Sequence, residues 1–327
     1  MNAFEYIRPL DEAEALRALA EPDTAALAGG TTLVDLMRLD VMQPKRVVDL
    51  GGLKLDAIDV KPGAITIGAL ASNTAVADHP EIKARFPALA EAIDAGASGQ
   101  IRNMASVGGN LLQRTRCSYF RDTASPCNKR EPGSGCAAID GYNRMHAVIG
   151  GSRDCIAVHP SDMCVALMAL DAVVHVKSAS GGERVMPFVD LHTLPDDKPH
   201  IESTLTPGEL ITSIELRDSG FAKTSRYVKV RDRASFAFAL ASAAVGLEVA
   251  GGTINAARVA LGGVATKPWR EHAVEAQLVG KRASKDAFAG AAALALRGAE
   301  PRPDNAFKIA LAKRVIARAL ELAGGLS

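Results

Sequence analysis

Between Asp11 and Ala20, the apolar positions Ala13, Leu16 and Ala20 recur at helical spacing behind an acidic first turn, which predicts a helix. The apolar run Ala25-Ala26-Leu27-Ala28 predicts a short strand running into Gly29-Gly30-Thr31-Thr32, and Leu33, Leu36 and Met37 supply the face of a second helix. Val47 to Leu50 reads as a further strand ended by Gly51-Gly52, so a first unit covers about residues 1–55. A second unit follows over 56–218. In it Ile65 to Leu70 alternates like a strand, and Phe86, Leu89 and Ile93 mark a helix from Phe86 to Ala95. From Gln100 to Cys155 the periodicity fails, and Gly, Arg, Asn, Ser and Cys dominate. A stretch that long without regular structure is unusual inside a domain unless a ligand orders it or a function requires it.

Pattern resumes with Ile156-Ala157-Val158, a helix from Asp162 to Leu170, a strand from Val173 to Lys177 and a closing strand from Leu210 to Leu216. Residues 219–327 form a third region. Two strands of small residues, Phe238 to Val249 and Ile254 to Leu261, flank a hairpin turn at Ala250-Gly251-Gly252-Thr253, and Ala- and Leu-rich helices follow, ending in Phe307 to Leu322. The fold class expected is α+β, not a doubly wound parallel sheet. No internal repeat or low-complexity segment interrupts it.

Composition narrows the function classes. The 38 basic and 37 acidic residues leave a net charge of +1, and aromatics are 4%, which argues against a nucleic-acid surface or a base-stacking platform. No apolar stretch is long enough for a membrane span. The N-terminal Met1-Asn2-Ala3-Phe4-Glu5-Tyr6 lacks a basic region followed by an apolar one, so the sequence alone predicts a cytoplasmic chain, with export alongside a partner subunit left open.

Two glycine-bearing segments are candidate anion sites. In Ala28-Gly29-Gly30-Thr31-Thr32-Leu33, at a strand-to-helix junction, backbone N–H groups can turn towards an anion and two threonines offer hydroxyls. The second, Ser106-Val107-Gly108-Gly109-Asn110, follows Arg102-Asn103 in the irregular stretch. Two such loops suit an extended dinucleotide, and two unrelated tight turns would look the same. Neither is the G-x-G-x-x-G fingerprint.

The five cysteines crowd into one region, spaced Cys117-x9-Cys127-x8-Cys136-x18-Cys155-x8-Cys164. Four thiolates are the ligand set of a [4Fe–4S] cluster or a structural zinc. No C-x2-C knuckle is present, and the long spacings suit a cluster wrapped by a loop better than zinc; unrelated thiols are the bland alternative. Cys164 opens an apolar helix and reads as a buried thiol, leaving Cys117, Cys127, Cys136 and Cys155 as ligands. Arg116, Arg121, Lys129 and Arg130 lie among them as possible counter-charges.

Taken together these residues resemble the flavoprotein subunit of the xanthine dehydrogenase and aldehyde oxidoreductase family. The Ala28-Gly29-Gly30-Thr31 and Ile101-Arg102-Asn103 … Ser106-Val107-Gly108-Gly109-Asn110 loops resemble its two FAD pyrophosphate signatures, and Thr32 and Ser106 depart from the usual pattern while keeping a hydroxyl. His159-Pro160-Ser161-Asp162-Met163 resembles its Ser-Asp segment, Tyr227-Val228-Lys229-Val230-Arg231 resembles its lysine-bearing strand, and Val259 to Ala265 with Lys267-Pro268 resembles its C-terminal domain. The resemblance implies a two-subdomain FAD-binding fold of the vanillyl-alcohol-oxidase kind over 1–218 and a CO dehydrogenase flavoprotein-like C-terminal domain over 219–327. It implies FAD held by Ala26, Leu27, Ala28, Gly29, Gly30, Thr31, Thr32, Leu33, Arg102, Ser106, Gly108, Gly109, Asn110, Asp162 and Lys229.

The insertion, about 114–156, resembles two subclasses with an extra [4Fe–4S] cluster, the three-subunit bacterial aldehyde oxidoreductases and 4-hydroxybenzoyl-CoA reductase. Pro126-Cys127-Asn128-Lys129-Arg130 and Gly133-Ser134-Gly135-Cys136 are more similar to the former. That resemblance implies an oxidoreductase subunit working with a large molybdenum-cofactor subunit and a small [2Fe–2S] subunit, and passing electrons to an external acceptor. Flavin subunits of 4-hydroxybenzoyl-CoA reductase or xanthine dehydrogenase, and a non-enzymatic zinc- or cluster-binding scaffold, stand as alternatives.

Overall fold

The structure is a computed structural model, and it describes residues 1–326. The first unit contains β1 (Glu5–Ile7), α1 (Glu12–Leu19), β2 (Thr24–Leu27), α2 (Leu33–Arg38) and β3 (Arg46–Asp49). Its strands form a small parallel sheet in the order β1-β3-β2, with Val48 opposite both Ile7 and Ala26. Asp11 caps α1 by accepting from the Glu14 N–H, and the helix buries Ala15 and Leu16 against Val48, Leu50 and Leu53.

The second unit is built on an antiparallel sheet of β4 (Ile58–Lys61), β5 (Ala64–Gly68), β6 (Val173–Ser178), β7 (Glu183–Pro187) and β8 (Glu209–Arg217), in the order β4-β5-β8-β6-β7. Between β5 and β6 run α3 (Asn73–Asp78), α4 (Pro80–Arg85), α5 (Pro87–Ala95), α6 (Gly99–Met104), α7 (Val107–Leu111), α8 (Ser118–Arg121) and α9 (Asp162–Ala169). The core joins Ile65, Ile67 and Ile214 of the sheet to Leu89 of α5 and Leu167 of α9. Part of the stretch expected to be irregular is therefore helical. α6 and α7 are short and begin at the capping serines Ser98 and Ser106, too brief to show a hydrophobic period.

The third region comprises α10 (Gly220–Lys223), β9 (Arg226–Val230), β10 (Ala241–Ala250), β11 (Thr253–Gly262), β12 (Trp269–Arg270), α11 (His272–Leu278), α12 (Lys285–Ala292) and α13 (Phe307–Ala323). Its antiparallel sheet runs β12-β11-β10-β9. Both faces are covered, and β10 is buried without a break from Ala241 to Leu247 instead of alternating. Val245, Leu247, Val259 and Leu261 join Ile316 and Leu320 of α13 in one core, whereas Ala244 and Ala260 belong to the core that holds α9. The face towards α9 is built of small residues for steric reasons: a β-carbon on Gly262 would lie 2.5 Å from Val165 Cγ2. Among the described residues no helix is long and apolar enough to cross a membrane.

Candidate functional site

The two glycine-bearing segments meet. Position 29 touches the end of α6 so closely that an added β-carbon would lie 1.7 Å from the Met104 carbonyl oxygen, so only glycine fits there without backbone movement. Gly30 adopts φ of 71°, the left-handed region, and turns the chain into α2. Among the described residues, the N–H groups of Gly29, Gly30, Thr31 and Thr32 have no intramolecular acceptor, so this loop presents free donors between Leu27 and Leu33.

The second segment differs. Val107 N–H donates to Ala71 O, Gly108 to Ala69 O, Asn110 to Ser106 O, and Gly109 to Ser106 Oγ at 3.2 Å. The amides of Val107 to Asn110 are thus occupied, and the donors left without an acceptor are the Ser106 N–H and hydroxyl and the Asn110 Nδ2. Asn110 Oδ1 is held by Ser161 Oγ at 2.6 Å and Gln113 Nε2 at 2.7 Å, which leaves Nδ2 turned elsewhere. Ser161 also caps α9 by accepting from Cys164 N–H, so one hydroxyl ties α7 to the start of α9.

Asp162 opens α9. Its Oδ2 lies 2.7 Å from Lys229 Nζ, its Oδ1 accepts from the Tyr227 hydroxyl, and the ion pair is 11% and 4% exposed. Asp162 lines a largely apolar cavity, but Lys229 does not; it reaches that cavity through the aspartate and donates its other bond to Ala95 O. The carboxylate and burial together push the Tyr227 hydroxyl well up, burial being the larger effect. Arg102 likewise turns away from the glycine loops, donating to Asp94 O and Gly96 O at 3.4 and 2.8 Å. With Arg231, which donates to Ala95 O at 2.7 Å, these cations collect at the carbonyl end of α5, where positive charge is stabilised.

The insertion docks on the first unit. Arg121 and Arg116 both pair with Asp35 of α2, holding its carboxyl below the usual range, while Phe120 packs on Leu36. Lys129 pairs with Glu202, and Arg130 donates to the carbonyls of Tyr119 and Phe120. Three of the four basic residues expected as counter-charges are therefore paired with carboxylates.

Cys117, Cys127, Cys136 and Cys155 line one small cavity, with Cys127 and Cys136 facing each other across an isolated antiparallel bridge. The Ala157 N–H donates to the Cys155 sulfur at 3.5 Å. Burial pushes the free thiols of Cys117 and Cys155 up to about 12 and about 11, so they need a bound cation to become thiolates. Among the described residues, no three of these sulfurs fall mutually within 4.8 Å. A tetrahedral zinc with bonds of about 2.3 Å requires sulfurs roughly 3.8 Å apart, so the cavity is set wider than zinc demands. Four thiols around one cavity are the donor set that an iron–sulfur cube would use. Cys164 lies apart, fully buried in α9.

Two further contacts come from the fold. His146 Nε2 lies 3.1 Å from Cys117 Sγ, and burial, aided by Lys308, lowers its pKa to about 4. His159, Cys164 and His192 present ligand atoms within 4.8 Å of one another, with His192 Nε2 on Leu111 O at 2.9 Å. Nothing in the spacing of either group signals its contact.

Residues 2–216 match the family described as the FAD binding domain in molybdopterin dehydrogenase, and 226–323 match the CO dehydrogenase flavoprotein C-terminal domain. The chain is 48% identical over 323 residues to the aldehyde oxidoreductase FAD-binding subunit PaoB of Escherichia coli K12, covering 98% of each chain. It is 29% identical over 285 residues to the glyceraldehyde dehydrogenase medium chain of Sulfolobus acidocaldarius, covering 86% of this chain and 83% of that one. The solved carbon monoxide dehydrogenase of Hydrogenophaga pseudoflava superposes with a TM-score of 0.77 at 26% identity, over 99% of this chain and 98% of that chain. With two matched domains in order and a relative aligned almost end to end, the chain belongs to the family of FAD-binding medium subunits of the molybdenum hydroxylases.

Proposed function

We propose that this chain carries FAD and one [4Fe–4S] cluster as the electron-transfer subunit of a molybdenum-dependent aldehyde oxidoreductase. In that assembly it joins a large molybdenum-cofactor subunit and a small [2Fe–2S] subunit and delivers electrons to an external acceptor. The observation that carries the reading is the placing of a loop with free amides and a cavity lined by four cysteines in one subunit of this family. The aldehyde assignment is supported by the 48% identical relative, itself named an aldehyde oxidoreductase subunit.

FAD, when bound, supplies two-electron storage, and a cubane cluster supplies one-electron exchange. The chain's part is to bind and orient them. The N–H groups of Gly29 to Thr32 and the threonine hydroxyls meet the diphosphate charge, and Leu27 and Leu33 flank the loop with Ala26 and Ala28. Gly108 and Gly109 admit close approach, while Ser106 and Asn110 add side-chain donors. Asp162 faces the apolar cavity, fixed in place by Lys229 and Tyr227, and would offer its carboxylate as an acceptor to a flavin held there. Arg102 acts one step back, pinning the end of α5 beside Asp162.

Anaerobic purification with iron, sulfide and flavin quantified tests the reading. About four irons per chain are expected, with loss of iron but not of flavin in Cys117→Ser, Cys127→Ser, Cys136→Ser and Cys155→Ser, and retention in Cys164→Ser. Zinc in place of iron, or iron lost only in Cys164→Ser, overturns the cluster; a chain that takes up no flavin overturns the rest.

A further inference from the structure

We infer that His146, at the wall between the cysteine cavity and the apolar cavity beside it, is a positioning residue for the cluster: Nε2–H donates to the Cys117 sulfur. The inference rests on the cluster reading above and adds a positioning residue to it. Cys117 is the shared wall, lining both cavities, and His146 lines the apolar one. The Nε2 to Sγ distance is 3.1 Å, short for a contact to sulfur. The side chain is 4% exposed, and its Nδ1 is buried without a hydrogen-bonding partner.

The direction of the bond follows from the ligand. A sulfur bound to iron carries no proton, so the hydrogen sits on Nε2 and the lone pair of the neutral ring on Nδ1. A buried acceptor is normally satisfied. Nδ1 finds no partner among the described residues, which leaves the bond to Cys117 as the ring's one hydrogen bond. The backbone of His146 is anchored independently of the sulfur: its N–H donates to Asn143 O at 2.9 Å, and its carbonyl accepts from Lys308 Nζ at 3.0 Å and Asn305 Nδ2 at 3.4 Å. The start of α13 thus fixes the main chain from which the imidazole reaches the wall. An N–H donor on a ligating sulfur withdraws charge and favours the reduced cluster.

The test is an EPR-monitored redox titration of the full chain, purified anaerobically, as wild type, His146→Leu and His146→Gln. Loss of the donor in His146→Leu is expected to make the cluster harder to reduce by about tenfold in the equilibrium constant, which is 59 mV for one electron, with iron and sulfide content unchanged. His146→Gln keeps an N–H within reach and is expected to restore most of the shift. Should the leucine variant not assemble its cluster, His146→Asn, whose amide is too short to reach the sulfur, is expected to show the shift instead. Equal potentials in wild type and whichever donor-lacking variant assembles overturn the inference while leaving the cluster in place. A wild-type chain without a cluster signal overturns the reading beneath it.

Discussion

A β-carbon at Gly29 would lie 1.7 Å from the carbonyl oxygen of Met104, so the first glycine loop and the end of α6 are in contact through a position where no side chain fits. Gly29→Ala must push the two segments apart. A shift of that kind costs about 1–3 kcal/mol and opens the free-amide loop away from Ser106 and Asn110. We expect a chain that folds, with a lower urea midpoint and a flavin content far below wild type. Full flavin content in Gly29→Ala would show that the contact is not part of the binding geometry.

The buried pair of Asp162 and Lys229 gives a second prediction. Removing one partner strands the other, which typically costs about 3–5 kcal/mol. Lys229→Met should therefore lower the stability of the flavin-free chain substantially, although Tyr227 still donates to the carboxylate. The double variant Asp162→Asn/Lys229→Met should lose less than the sum of the single changes, because no unpaired charge remains. Additive losses in chemical denaturation would mean that the two groups do not act as a pair.

How far the chain disclosed its site depends on the kind of information each residue carries. Phe86 to Ala95 shows its helix because the core demands a period from it, and α5 runs Pro87–Ala95 as a result. The grouping of Cys117, Cys127, Cys136 and Cys155 is legible because thiols are rare elsewhere and one irregular stretch holds them all. By contrast, whether an amide is free or already bonded is a property of tertiary placement. Gly108 and Gly109 look like Gly29 and Gly30 in sequence, yet Ala69 O and Ser106 Oγ occupy their N–H groups. Arg102 is a similar case, since its basic side chain caps α5. His146 lies 29 positions from Cys117, and only the fold brings them together.

Ser161 joins α7 to α9 and separates binding from stability. Ser161→Ala removes an N-cap, worth about 1 kcal/mol, and takes away one of the two donors that hold Asn110 Oδ1, leaving only Gln113 Nε2 to orient the amide. A modest fall in unfolding midpoint is expected alongside a several-fold weaker flavin affinity, measured by fluorescence quenching on titration. Unchanged affinity with the lower midpoint would assign Ser161 to the helix cap alone.

Lys308 supplies a prediction about pH. It is fully buried in α13, donates to His146 O and Gly263 O at 3.0 and 2.8 Å, and has no carboxylate partner among the described residues. Burial, with a smaller contribution from the Arg144 charge, lowers its pKa to about 7. In the unfolded chain a lysine titrates at about 10.4. Below pH 7 both states carry the proton, and the cost of the buried charge is present in full. As pH rises from about 7 to about 10 the folded chain has shed the proton and the unfolded chain still holds it, so stability increases with pH across that window and levels off above it. Lys308→Met lacks the group and should lack that component of the slope, while losing stability overall because two carbonyls are left without a donor. The contrast between the two stability curves isolates this residue from the thiols and tyrosines that titrate in the same range. Curves that run parallel from pH 7 to 10 would mean that the ammonium stays charged in the fold, held by its two carbonyls more strongly than burial opposes it.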